Sequence, residues 1–212
     1  MKLLAIAAVL GTASIARADG GTVRGTVEVS RPKDVVAGPV LVYLVGFTEK
    51  ASAAPVVIKQ VGKRFIPDLV AVAAGGSVAF PNGDPFLHNV FSQTSERAFD
   101  LGSYRQGESR NVTMTKPGVV TVYCNMHPNM VGYILVTPSA LVARVGSDGF
   151  YRLTNVPAGR HKLVAWAPNA KPVTTDVEVG DAETATIELE LKRGRAAPHT
   201  NKDGMAYGSY KD

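Results

Sequence analysis

The residues with the greatest chemical potential form one short run, Cys124-Asn125-Met126-His127-Pro128-Asn129-Met130, with the spacing C-x-x-H-x-x-M. The run begins where a strand ends. Val120, Val122 and Cys124 fall on one face of that strand, because strand side chains alternate, and the face is apolar. The thiol therefore points into the interior at the strand's end. Pro128 stops the chain from continuing as strand, so the following residues must loop, which can bring His127 and Met130 round one point. A second histidine, His88, follows the turn-rich stretch Asn82-Gly83-Asp84-Pro85-Phe86-Leu87 and precedes a short apolar strand. Two imidazoles, one thiolate and one thioether are then available. Soft sulfur suits copper(I), imidazole suits copper(II), and a two-His, one-Cys site with a distant Met serves both states. Zinc would accept the Cys and both His but gains little from a thioether.

Singly, each of these residues has a plainer explanation. A buried Cys is usually a small hydrophobe, a His beside a loop is usually surface, and a Met three residues past a His arises by chance. The combination favours a metal. A Cys–His nucleophile pair is the enzymatic rival, and it lacks an orienting acid or third histidine motif.

The elements that position this set are strands. Val, Thr and Gly recur, and long runs rich in Glu, Lys and Leu are missing, which favours strand over helix. Strand-like runs are Val23 to Val29, Val40 to Val45, Val56 to Lys59, Leu69 to Ala73, Ser77 to Phe80, Val112 to Thr115, Val119 to Cys124 and Gly132 to Val136. After Pro138 come Ala143 to Val145, Phe150 to Leu153, His161 to Trp166, Val173 to Val179 and Thr184 to Leu191. Turns fall at Gly75-Gly76, Lys116-Pro117-Gly118, Asp148-Gly149 and Pro157-Ala158-Gly159. Many short strands at regular spacing predict sandwiches or barrels. From 193 to 212 the chain is polar and unpatterned, and reads as a disordered tail.

The N-terminus has the marks of a targeting segment. Lys2 is followed by a short apolar stretch, Leu3 to Leu10, and Ala16-Arg17-Ala18 fits a small-x-small cleavage pattern. Residues 1–18 are therefore expected to be a signal peptide, and the protein to be exported, periplasmic or extracellular. No later run is long enough to cross a bilayer as a helix. The formal charge of +5 falls to +3 once Lys2 and Arg17 are removed, and no basic stripe interleaves with aromatics, so nucleic-acid binding has little support. With one Cys, an internal disulfide is impossible. Asn111-Val112-Thr113 is a glycosylation sequon by pattern alone.

Asp84-Pro85-Phe86-Leu87-His88-Asn89-Val90, with Val120 to Met130 and then Val131-Gly132-Tyr133, resembles the plastocyanin, amicyanin and pseudoazurin group of cupredoxins. Phe65-Ile66-Pro67 through Ala74-Gly75-Gly76-Ser77-Val78-Ala79-Phe80-Pro81-Asn82 resembles their early strands. The resemblance covers roughly residues 55 to 137, and the C-x-x-H-x-x-M loop is most similar to the amicyanin pattern. It implies a Greek-key β-sandwich binding one type 1 copper ion, with His88, Cys124 and His127 as equatorial ligands and Met130 axial. It also implies that Asn89 bonds across to the backbone beside Cys124. Met126 adjoins His127 and is poorly placed as the axial ligand. Met126, Pro128, Pro85 and Phe86 are expected to form an apolar docking ring around an exposed edge of His127.

Ser147 to Leu153, continuing through Asn155 to Leu163, resembles the carboxypeptidase regulatory-like, transthyretin-type β-sandwich. The opening strands of that family have counterparts far upstream, in Gly21-Thr22-Val23-Arg24-Gly25 and Pro39 to Leu44. The expected architecture is all-β: a cupredoxin domain at 55–137 inserted into a discontinuous sandwich made of 21–50 and 138–192. The expected function is single-electron transfer between redox proteins that dock transiently, with no enzymatic activity. Oxidases and copper nitrite reductases need further histidine-rich copper sites, and only His161 and His199 remain. The alternatives are copper sequestration or delivery, and a scaffold or adhesion module with a secondary copper site.

Overall fold

The computed structural model describes residues 20–95 and 97–208, and they form strands without α-helix. The expected signal peptide lies outside the described residues. The order is β1 (Gly21–Ser30), β2 (Leu41–Val45), β3 (Val56–Val57), β4 (Lys59–Gln60), β5 (Phe65–Ile66), β6 (Leu69–Ala73), β7 (Ser77–Pro81), β8 (His88–Ser92) and β9 (Phe99–Tyr104). Then come β10 (Ser109–Thr113), β11 (Gly118–Tyr123), β12 (Val131–Thr137), β13 (Val142–Arg144), β14 (Phe150–Val156), β15 (Gly159–Trp166), β16 (Val173–Val179), β17 (Thr184–Thr186) and β18 (Leu189–Lys192). Among the described residues no helix is long and apolar enough to cross a membrane.

Two sheet pairs share the chain. The central one stacks the five-stranded sheet β6-β12-β11-β8-β9 on the smaller sheet β10-β7-β3. Alternation along β11 and β12 turns Val120, Val122, Ile134 and Val136 into one core with Phe80, Cys124 and Met130. The other pair joins the two ends of the chain. β1 pairs with β14, β17 and β18, while β2 lies between β13 and β15. Neither β1 nor β2 pairs with a strand between Val56 and Thr137. Val23, Val42, Leu44, Leu163 and Leu191 fill the core of this second pair.

The apolar run at β2 follows from its place in the stack. Val42 and Leu44 face one core, whereas Leu41 and Tyr43 face the other way. There they meet Trp166 of β15 and, across from it, Leu69 of β6 with Tyr133 and Leu135 of β12. Both faces of β2 and β12 are thus covered, which removes the polar alternation of a half-solvated strand. Trp166 is 5% exposed and meets the Tyr133 ring edge-on at 6.4 Å, so it is a core residue at the seam between the sheet pairs.

The structure departs from the expected elements in several places. The single run Thr184 to Leu191 is broken into β17 and β18, because β1 hands over from one to the other at Gly25. A Cβ on Gly25 would lie 1.7 Å from the Ile187 carbonyl oxygen. β9 carries no clear strand signal in sequence, because its alternation lasts only from Phe99 to Gly102 before Ser103 breaks it. The stretch after 192, expected to be disordered, is tied to the rest of the described chain at separate points from Arg193 to Tyr207. Arg193 is buried and donates to the Pro168 carbonyl at 3.0 Å, and Arg195 makes a two-pronged pair with Asp34 at 2.8 Å. Its composition suggests disorder, but two backbone bonds at Arg193 and Gly194, side-chain hydrogen bonds and ring stacks hold it, and hydrophobic periodicity does not register these.

Candidate metal centre

Two loops at one end of the central sheet pair bring the reactive side chains together. The first precedes β8. Asn82 organises it: its Oδ1 accepts from the Asp84 N–H at 2.9 Å, and its Nδ2 donates to the carbonyls of Phe86 (2.9 Å) and Tyr104 (3.1 Å). This is an Asx turn, the ordinary use of Asn in such a stretch. It delivers His88 to the start of β8 with no exposed surface. The second loop joins β11 to β12. The Cys124 N–H donates to the Met130 carbonyl at 3.2 Å, and the Met130 N–H to the His127 carbonyl at 3.0 Å. These bonds close the seven residues into a tight loop. The Cys124 and Met130 side chains lie in the core, both fully buried, and His127 stays partly exposed.

The ligand atoms converge. Nδ1 of His88 lies 3.6 Å and Nδ1 of His127 3.4 Å from Cys124 Sγ. The ligand atoms of the three residues lie within 4.8 Å of one another. A thiol carries one proton and can donate to only one of the two nitrogens. His88 Nε2 lies 2.8 Å from Asp84 Oδ2, so the carboxylate holds the ring proton there and leaves the Nδ1 lone pair facing the sulfur. Metal–ligand bonds of roughly 2.0 Å to nitrogen and 2.3 Å to sulfur, opened by about 105–120°, place N and S about 3.4–3.7 Å apart. The observed separations fit a metal ion held between the three atoms. The donor set, two imidazoles with one thiolate, fits copper or zinc.

Charge around the site is arranged by the same contacts. Asp84 is 6% exposed. Burial pushes its pKa up. The Lys63 N–H, the His88 ring and the Gly62 N–H outweigh that effect and hold the carboxyl below the usual carboxylate value. Burial lowers the His127 pKa from its ordinary value, the neighbouring His88 and Lys63 lower it further, and Asp84 opposes them. A lowered pKa favours the neutral ring, the form that binds a metal.

The remaining expected residues fall in different places. Pro85, Phe86, Met126 and Pro128 are exposed. The Phe86 ring sits 5.2 Å from the His88 ring and 5.6 Å from the His127 ring, with Leu87 exposed beside it. Asn89 does not reach the backbone at Cys124. Its Nδ2 donates instead to Asp100 Oδ1 at 2.6 Å, because Asp100 on the neighbouring β9 offers a charged acceptor. His161 lies in β15, its Nε2 2.7 Å from the Pro157 carbonyl, far in sequence and fold from the ligand loops.

Two groups of residues were not foreseen. Asp84 stands in the turn and in the segment that carries the resemblance, but nothing in the sequence assigns it a contact with His88, four residues on. The second group is a strap from the C-terminal stretch. Tyr207 donates its hydroxyl to the Cys124 carbonyl at 3.0 Å, and His199 stacks on Tyr123 at 4.4 Å. The Lys202 N–H donates to Asn125 Oδ1 at 2.9 Å, and Lys202 Nζ pairs with Asp100 at 2.8 Å. Burial pushes the Tyr207 hydroxyl up to about 12, helped by Cys124 and Tyr123 nearby. No periodic signal marks such a strap.

No family profile matches the chain. The chain is similar in sequence to the chloroplastic plastocyanin of Fritillaria agrestis, with 33% identity over 85 residues. That match covers 34% of this chain and 51% of the plastocyanin, so the chain spans about half the length of this relative. Among solved structures, the reduced state of an amicyanin mutant is 19% identical, with 45% of this chain and 99% of that chain covered at a TM-score of 0.38. A purple cupredoxin from Nitrosopumilus maritimus is 22% identical, covering 39% and 99%, at 0.35. A copper-containing nitrite reductase from Thermus scotoductus is 26% identical, covering 51% and 28%, at 0.38.

Proposed function

We propose that this is an exported blue-copper protein that binds one copper ion through His88, Cys124, His127 and Met130 and passes single electrons between redox proteins. The observation that carries the reading is the convergence of two imidazole Nδ1 atoms on the buried Cys124 sulfur, at 3.6 and 3.4 Å. Bound there, copper supplies a one-electron couple.

The chain's own residues supply the rest. His88 and Cys124 are fixed from two strands of one sheet, so the ligand atoms keep their spacing in either oxidation state. Met130 brings its thioether to the same core, and the backbone bonds of the loop tie it to Cys124 and His127. His127 is the partly exposed member and serves as the electron port. Phe86, Leu87 and Met126, with Pro85 and Pro128, form an apolar rim that excludes water and accepts a partner in a small, transient contact. Burial of His88, Cys124 and Met130 favours a carrier over a delivery protein, since release would require opening the loop. The reading excludes turnover as an oxidase or a nitrite reductase.

The second sheet pair is read as a carboxypeptidase regulatory-like sandwich into which the copper domain is inserted. Pairing of β1 and β2 only with strands after Pro138 supports this. Export rests on the N-terminal sequence, and N-terminal sequencing of the mature protein tests it, with Asp19 expected as the first residue. A copper titration followed by visible absorption tests the metal site. One equivalent is expected to develop an intense thiolate-to-copper band that ascorbate bleaches and a mild oxidant restores. A colourless copper-loaded protein overturns the reading.

A further inference from the structure

The contact between Asp84 and His88 goes beyond holding a loop in place. The Asp84 carboxylate is fixed on its far side by a two-residue hairpin turn between β4 and β5. Val61 and Arg64 exchange backbone bonds at 3.0 and 3.2 Å, closing the turn around Gly62 and Lys63. Both central residues have positive φ, 62° and 58°, so their N–H groups point to one side. The Gly62 N–H donates to Asp84 Oδ1 at 2.7 Å and the Lys63 N–H to Oδ2 at 2.9 Å. The Asp84 N–H is held in turn by Asn82. These bonds satisfy the turn and would anchor the loop by themselves. The remaining contact, Oδ2 to His88 Nε2 at 2.8 Å, has no role in the turn. Asp84 and His88 are both buried, so solvent screens this negative charge weakly.

Resting on the copper reading above, we propose that Asp84 is a positioning residue of the metal centre. It pins the Nε2–H tautomer of His88, aims the bare Nδ1 at Cys124, and biases the site toward the oxidised, more highly charged metal. A carboxylate acceptor makes an imidazole ligand more basic than a neutral acceptor does, and basicity favours copper(II) over copper(I). Removing it should weaken copper(II) binding by about tenfold or more, the usual scale for such partners. If copper(I) binding is unchanged, a tenfold loss raises the midpoint potential by about 59 mV for one electron.

The test uses the full chain with Asp84→Ala and Asp84→Asn. In the metal-free protein at pH 8, long-range nitrogen–proton correlation reads the His88 tautomer without reference to copper. The wild type is expected as Nε2–H alone, and Asp84→Ala as a mixture of both tautomers. In the copper-loaded protein, potentiometric titration of the visible band is expected to show a raised potential in Asp84→Asn, which keeps the shape and loses the charge. A purely structural role would move neither readout in a variant with wild-type circular dichroism. An unchanged tautomer in Asp84→Ala or an unchanged potential in Asp84→Asn overturns the proposal. If Asp84→Ala does not fold, the Asp84→Asn potential decides. If the wild type shows the Nε2–H tautomer but no visible band, the copper reading fails while the placement of the proton stands.

Discussion

Replacing Cys124 with Ser separates the metal's contribution to stability from that of the fold. The sulfur sits at 0% exposure between the Nδ1 atoms of His88 and His127. In the metal-free protein, Ser brings a hydroxyl into an apolar strand end. Burying it costs about 1–3 kcal/mol, and one hydrogen bond to an imidazole nitrogen returns about 0.5–1.5, leaving a loss on the order of 1 kcal/mol. For a chain of this length that lowers Tm by about 2–4 °C. Copper held between these atoms should act in the opposite direction on the wild type. A ligand that binds only the folded state, supplied at a thousand times its Kd, stabilises by about 4.1 kcal/mol, which raises Tm by roughly 8–16 °C. Ser is a poor ligand at neutral pH, so the variant should gain little of this. Scanning calorimetry of both proteins, with and without copper, reads all four values. A copper-induced rise in Cys124→Ser equal to that of the wild type would refute the reasoning, because the metal would then be held elsewhere. A wild type whose Tm ignores copper would refute it as well.

Other consequences follow from the packing and the charges. Trp166 is the chain's single tryptophan and is 5% exposed at the seam between the sheet pairs. Its emission should be blue-shifted in the native protein, and Trp166→Ala should cost about 3–5 kcal/mol in urea unfolding. A loss below about 1 kcal/mol would mean the seam is not a core. Gly25→Ala drives a Cβ into the Ile187 carbonyl and should destabilise the outer sheet pair while leaving the visible copper band unchanged, as hydrogen exchange of the β1 amides would report. Asp100 is raised by burial but lowered more by Lys202, Asn89 and the Gly102 N–H, ending below its ordinary 3.8. Because its folded pKa is depressed, its support for the C-terminal strap is complete above about pH 4 and is lost as pH falls through the lower folded value. Ring-current shifts of Tyr207 should therefore hold steady from pH 5 to 8, begin to fall below about pH 4, and reach their limit only beneath the lowered folded value.

The strand architecture was largely legible because most strands here bury alternate residues, and period-two patterning records that. It failed where the pattern does not carry the information. β9 alternates over only four residues, and the split between β17 and β18 depends on Gly25 in another strand. The strap at 199–207 is held by Tyr207, His199 and Lys202 against partners about eighty to a hundred residues away. Asn89 was expected at the Cys124 backbone, but β9 places a carboxylate within its reach.

Cys124, His127 and Met130 could be chosen from sequence because they lie within one seven-residue loop, and their order follows from a strand ending at a proline-bearing turn. His88 could be nominated only by residue type and by resemblance, since it lies thirty-six residues upstream. Tertiary structure decided that its Nδ1, not its Nε2, faces the sulfur. That choice belongs to Asp84, whose carboxylate is aimed by a hairpin turn at Gly62 and Lys63. The proton on an imidazole goes to whichever acceptor the fold brings to it, and no local pattern encodes a contact between a turn, a loop and a strand end.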